Sequence, residues 1–271
     1  TERLASIAGK PDVRASLGVP YQTASLTRKE VVGHHDMATY GAKTETLPMP
    51  EGQLRRVGDP DGSNSDRQAF LVDEDRELYY EVSNIIPASP AVKAGYGIAA
   101  WWEGIFGRKV DTSFTKTVDR VSVFDLDKPW DAVKMNGTAA IKVPMLPMTP
   151  TFDELERGHV GHAVQFCATH YQPKTLTGYA RGSDGKTASS PLVAGMVLRL
   201  TQRRFEQLVE LWEHRPHVVA LLRCVREFGM VVADRTDPKA GHLLRIAQDP
   251  RIDLVGLHLV ITDFEVVQLT N

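Results

Sequence analysis

The stretch Thr151-Phe-Asp-Glu-Leu-Glu-Arg-Gly-His-Val-Gly-His-Ala-Val-Gln-Phe-Cys-Ala-Thr-His-Tyr171 decides the reading of this chain. It opens on a short acidic turn, Asp153 to Glu156, is broken by Gly158 and Gly161, and then becomes the clearest strand pattern in the sequence, His162 to Tyr171. A continuous strand alternates its side chains between two faces. On that rule His162, Val164, Phe166, Ala168 and His170 share one face, an apolar strip with a histidine at each end.

Working outward, Arg67–Val72 and Glu77–Val82 read as two strands joined by the polar turn Asp73-Glu74-Asp75-Arg76, a β-hairpin. Residues 41–66 carry Pro48, Pro50, Gly52, Gly58 and Asp59-Pro60-Asp61-Gly62 and read as loop. Residues 87–128 are irregular, with Trp101-Trp102 in a glycine-flanked run and a further strand expected over 118–126. Ile141-Lys142-Val143 reads as a short extended piece. Arg203 to Glu213 is helical, with Phe205, Leu208, Val209 and Trp212 on one face. A second helix starts at Pro216 and stops at Gly229, with Val218, Leu221, Leu222 and Val225 at i, i+3, i+4 and i+7. Met230 to Ala233 follows as a buried strand, and two more strands are expected over 254–260 and 264–269. Many strands, two helices and no βαβ rhythm predict a mostly β fold, a jelly-roll-like β-sandwich with long loops. The expected organisation is an extended N-terminal arm over residues 1–40, with one helical turn at Leu4, Ile7 and Ala8. A single sandwich domain over 41–271 follows it, including the helices near 203–213 and 217–228.

The 271 residues are 42% hydrophobic and 24% charged, with a net charge of −2. The balance and the absence of a basic block argue against nucleic acid as a partner. No run of 18 apolar residues occurs, so no membrane-inserted helix is expected. The opening TERLASIAGK lacks the pattern of a secretory leader, which suits a chain made in the cytoplasm. Cys167 and Cys224 fall mid-strand and mid-helix and are expected to be two buried thiols.

The common catalytic signatures are missing: no G-x-G-x-x-G, no G-x-x-x-x-G-K-[ST], no H-E-x-x-H and no G-x-S-x-G. Gly33-His34-His35-Asp36 invites a metal, but adjacent strand residues point apart and no paired ligand set lies close in sequence, so neither a metal nor any other cofactor is expected. What remains is a scatter of polar and aromatic groups. Trp101 and Trp102 offer flat apolar faces for sugar rings, and Arg67, Gln68 and His170 offer directed hydrogen bonds to hydroxyls. For catalysis on a polysaccharide, hydrolysis wants two carboxyls across a cleft, drawn from Glu81, Glu154 and Asp234. A lyase wants a base such as His162, with Arg67 neutralising a uronate.

Several segments in order carry a resemblance: Leu17-Gly-Val-Pro-Tyr21, Ser65-Asp-Arg-Gln-Ala-Phe-Leu-Val-Asp73, Leu78-Tyr-Tyr-Glu81, Asp153-Glu154, Gly161-His-Ala-Val-Gln-Phe166 and Phe228-Gly-Met-Val-Val-Ala-Asp234. The chain resembles an uncharacterised group of secreted bacterial β-sandwich proteins, and these segments cover most of its length. The resemblance implies a cell-surface or polysaccharide context. In that group the Asp-Arg pair is followed by histidine, where this chain has Gln68, so the resemblance favours binding over catalysis here. A domain of secreted type without a visible leader fits a phage virion protein. The expectation is a minor tail or tail-tip protein, oligomeric among other tail subunits, that contacts host cell-envelope polysaccharide. The alternatives are a secreted or virion-borne polysaccharide-degrading enzyme and a purely structural tail component.

Overall fold

A computed structural model describes residues 12–35, 42–57, 67–107, 109–128, 137–178 and 180–267. The fold is mostly β. Contacts gather the chain into two compact units, Thr1–Val19 with Met135–Asn271, and Pro20–Lys134. The boundaries thus lie at 19/20 and 134/135, where the sequence reading drew one at 40/41.

The Pro20–Lys134 unit holds two four-stranded sheets. The first contains β2 (Tyr21–Thr23), β5 (Ala69–Asp73), β6 (Leu78–Ser83) and β9 (Arg120–Asp125), in that order. The second contains β3 (Ser25–His34), β4 (Thr44–Met49), β7 (Ile86–Pro87) and β8 (Lys116–Val118), in the order β4-β3-β8-β7. The hairpin reading of residues 67–82 holds: β5 and β6 pair antiparallel from Ala69↔Val82 to Asp73↔Leu78. Its turn is held by the Arg76 N–H on Asp73 Oδ1 at 3.2 Å. Alternation sends Leu71, Tyr80 and Val82 of the first sheet into one apolar cluster with Val32, Leu47, Met49 and Val118 of the second. The loop expected over 41–66 is strand β4 in its first part, because Leu47 and Met49 alternate into that cluster; residues 58–66 lie outside the described set.

The unit also carries α1 (Pro90–Ile105), a helix of 16 residues that the sequence reading left irregular. Gly95, Gly97 and Gly104 lower its helix propensity. Ser89 nonetheless caps it, its Oγ accepting from Val92 N at 3.2 Å, and Pro90 takes the first turn.

The other unit is built on a seven-stranded mixed sheet. Its strands are β1 (Asp12–Val19), β10 (Val164–Ala168), β11 (Val197–Leu200), β12 (Met230–Arg235), β13 (His242–Ala247), β14 (Leu259–Val260) and β15 (Phe264–Val267). Their order is β14-β1-β13-β10-β12-β11-β15, with β1/β13 and β10/β12 parallel. Among the described residues three helices accompany it: α2 (Phe152–Glu156), α3 (Gln202–Trp212) and α4 (Pro216–Glu227). The two longer ones match the sequence reading, and Gly229 at φ +83° ends α4 as expected. Among the described residues four helices therefore stand where about two were expected, because the glycines of α1 read as breakers and α2 is only five residues long.

Two further expectations are corrected. The strand expected over His162–Tyr171 runs only from Val164 to Ala168, and all five of its residues are buried. Beyond Ala168 the next amide, Thr169 N, donates to the His242 ring at Nδ1 (3.3 Å) instead of a strand carbonyl. His162 and His170 thus lie outside the strand, and the strip with a histidine at each end does not form. Ile141-Lys142-Val143 is a turn with Lys142 at φ +64°, closed by the Gly137 N–H on Lys142 O at 2.9 Å. The expected helical turn at Leu4, Ile7 and Ala8, and Asp36 of the histidine pair's loop, lie outside the described residues.

Candidate functional site

The candidate residues divide between the units. Glu154, His162, His170 and Asp234 belong to the seven-stranded unit; Arg67, Gln68, Glu81, Trp101 and Trp102 belong to the other.

Glu154 and His162 do meet. Thr151 opens α2 with a capping box: its Oγ1 accepts from Glu154 N at 3.4 Å, while its own N–H and Oγ1–H donate to Glu154 Oε2 at 2.9 and 2.8 Å. Glu154 Oε1 faces His162 Nε2 at 3.2 Å. A carbonyl only accepts, so His162 Nδ1 carries the proton that reaches Ala163 O at 3.0 Å. Burial opposes the charged form of Glu154, but the His162 and Thr151 hydrogen bonds outweigh it and bring its pKa down to about 2. Burial likewise opposes the imidazolium, yet Glu154 and the Ala163 carbonyl raise the His162 pKa. Both ring nitrogens and both carboxylate oxygens therefore have partners within the chain. The Cys224 thiol of α4 donates to His162 O at 3.0 Å and fixes the backbone there. The arrangement ties α2 and α4 to the approach of β10; a base ready to take a substrate proton would need a free ring nitrogen.

Asp234 lies in a second polar group with Tyr171 and Asp184. Asp234 Oδ1 accepts from Arg235 N at 2.9 Å. The Tyr171 hydroxyl donates to Asp184, whose other oxygen lies 3.8 Å from Arg235 Nε. Arg245 Nε reaches Cys167 Sγ at 3.3 Å. Burial first, then Asp184, push the Tyr171 hydroxyl pKa far up. Burial pushes the Cys167 thiol up to about 12 against the pull of Arg245. His170 Nδ1 pairs with Thr187 Oγ1 at 3.3 Å, so this histidine braces a loop. Asp184, Arg235 and Arg245 escaped the sequence reading, since no local spacing links them to Tyr171 and Cys167.

In the other unit Glu81 is fully buried and accepts from the Tyr79 hydroxyl at 2.7 Å. Tyr79 stacks on Phe70 and Phe124, with centroids 6.5 and 5.8 Å away. Arg67 adopts φ +43° and its carbonyl accepts from Ile85 N at 3.2 Å; the carbonyl of the buried Gln68 accepts from Val57 N at 2.8 Å. These two residues serve the backbone around the hairpin.

Trp101 and Trp102 sit on α1, 67% and 56% exposed, their rings 6.0 Å apart and tilted by 46°. Neither is core. Ile98, Ile105 and Phe106 are also exposed, and with the tryptophans they fall at i, i+3, i+4, i+7 and i+8, one stripe of the helix. Tyr96 is the sole buried residue of α1. Its ring meets Phe114 edge-on at 4.6 Å, and its hydroxyl lies 2.6 Å from His34 N and 2.6 Å from Lys43 O. Burial raises its pKa, so the hydroxyl stays a donor. One anchor thus holds the helix while the opposite face is offered outward.

Among the described residues no group of three histidine, cysteine or acidic side chains is placed to hold a metal ion. No described helix is long and apolar enough to cross a membrane. No protein-family model matches the chain, and no curated protein and no solved structure matches it.

Proposed function

We propose that this protein is a virion component, a minor tail or tail-tip protein, that contacts host cell-envelope polysaccharide through an aromatic platform on α1. The observation that carries the reading is the exposed Trp101–Trp102 pair on a helix pinned from behind by Tyr96. Flat aromatic faces contribute apolar contact to sugar C–H surfaces, and a pre-ordered pair spares the entropy of assembling them. The two sheets of the Pro20–Lys134 unit, sharing one apolar cluster, support a β-sandwich of the jelly-roll kind as its finer architecture. The resemblance of the sequence to secreted surface proteins supports the context: synthesis in the host cytoplasm, release with the virion, and an oligomer among other tail subunits.

A second reading, a purely structural tail component, is favoured by Ile98, Ile105 and Phe106, which extend the platform into an apolar stripe suited to a neighbouring subunit. The reading as a polysaccharide-degrading enzyme draws only on Glu154 beside His162, and both are already engaged.

Sedimentation of the full chain with purified host cell-envelope polysaccharide tests all three. Wild type is compared with a Trp101→Ala/Trp102→Ala variant and with His162→Ala. Saturable binding without product release, lost in the double tryptophan variant, is the expected result. Binding indifferent to the tryptophans overturns it. Product release abolished in His162→Ala transfers the assignment to an enzyme, and neither binding nor release transfers it to a structural subunit.

A further inference from the structure

The Pro20–Lys134 unit contains a pocket of about 320 Å³ that the α1 platform does not use. Its apolar wall is the end of the core: Met49 and Ile85 belong to the shared cluster and Leu54 packs against it. Its rim is charged. Lys116 Nζ holds both oxygens of Glu30 at 2.6 Å, and the Thr115 hydroxyl adds a bond to Glu30 at 2.7 Å. Burial works against this carboxylate, but Lys116, Thr115 and the charge of nearby Arg28 keep it ionised, its pKa below the ordinary range. Glu30 is thereby committed to Lys116.

Arg28 is held differently. Its Nη1 donates to three backbone carbonyls, Pro50 O at 2.8 Å and Glu51 O and Gly52 O at 2.9 Å. Neutral acceptors orient the guanidinium; Glu30 acts on its charge through space but is itself hydrogen-bonded to Lys116 and Thr115. Its Nε and Nη2 meet no acceptor among the described residues, and that edge is the fork that matches a planar oxyanion with two parallel hydrogen bonds. An oriented cation beside a pocket backed by the apolar core, at the small end of the size range that takes ligands, is a combination that selects by both charge and hydrocarbon.

We propose that this pocket binds a small carboxylate with a hydrocarbon body, its head on Arg28 and its body against Met49, Leu54 and Ile85. The site is independent of the polysaccharide reading, since it shares no residue with the α1 platform.

The test is titration calorimetry of the full chain with octanoate, beside octanol as the uncharged counterpart. Saturable octanoate binding is expected, about tenfold or more tighter than octanol, the size of one charge-assisted hydrogen bond. Arg28→Gln should weaken octanoate by a similar factor. Because Arg28 also orders the 50–52 carbonyls, a second variant separates binding from folding. A Cβ at Gly52 meets nothing within 4 Å, so Gly52→Glu sets a repelling carboxylate on the rim without disturbing the chain. That variant should keep the wild-type Tm, lose octanoate affinity by about tenfold and leave octanol unchanged. Equal binding of octanol and octanoate, an unaffected Gly52→Glu variant, or binding of glucuronate but not octanoate overturns the proposal.

Discussion

His162 Nε2 stands 3.2 Å from Glu154 Oε1, while the other oxygen of that carboxylate closes the Thr151 capping box. One carboxylate thereby fixes the start of a helix and the approach to a buried strand, two elements that sequence distance alone does not join.

That pair makes stability depend on pH. The lowered pKa of Glu154 contributes stability that is present above its ordinary 4.5 and is lost as pH falls toward about 2. The raised pKa of His162 contributes stability that is fully present below its ordinary 6.5 and is lost as pH rises through the raised value. The pair therefore contributes most between about pH 4.5 and 6.5. Glu154→Gln should cost about 2 kcal/mol in urea unfolding at pH 5.5, and less at pH 9. An equal cost at both pH values would show that capping alone, and not the ion pair, is what Glu154 provides.

The anchor of α1 is separable from its exposed face. Tyr96→Phe removes the hydroxyl that meets His34 and Lys43, whose own backbone bond of 3.0 Å survives, so the global cost should be about 1 kcal/mol. The larger change should be local, as faster hydrogen exchange across residues 90–105, since a helix of this length is marginal without tertiary contacts. Exchange that rises uniformly over the chain would contradict this role.

Trp101→Ala and Trp102→Ala should leave stability within about 0.5 kcal/mol, because neither ring is buried. A Tm that falls by many degrees would mean that the rings pack against something in the folded chain, and the platform reading would fail with it.

Gly229 takes φ +83° just past α4, where an added Cβ would lie 2.6 Å from Val197 Cγ1 and 2.9 Å from Leu198 O. Strain and clash act together there, so Gly229→Ala should destabilise by about 2–4 kcal/mol. A near-neutral result in denaturant titration would refute the close packing of this turn on β11.

Both cysteines are buried and unpaired, and burial pushes each thiol up to about 12. Iodoacetamide at pH 8 should leave the native chain unmodified and label both positions after urea unfolding, as read by intact mass. Rapid labelling of the native state would show that one of these sites opens.

Several elements were legible because their signals are local. The β5/β6 hairpin is announced by two alternating runs around a polar turn. The α3–α4 pair is announced by apolar spacing, Pro216 and Gly229. Helix α1 was missed although Ile98, Trp101, Trp102, Ile105 and Phe106 carry helical spacing, because Gly95, Gly97 and Gly104 read as breakers and the stripe faces outward. Of the site, the residue types Trp101, Trp102, Glu154 and His162 could be singled out from the chain, but their surroundings could not.

The sequence by itself determined a mostly β chain, the positions of its strongest strands and paired helices, and two buried thiols, because burial periodicity and turn chemistry act over a few neighbouring residues. Tertiary structure alone decided that β1 lies parallel to β13 from the far end of the chain, and that β10 runs between β12 and β13. It alone decided that His162 spends its ring on Glu154, and that the tryptophans face outward. The physical reason is common to all of these. A periodic apolar pattern states that a face will be buried, while the partner that buries it is chosen by non-local pairing and packing that no short stretch of sequence encodes.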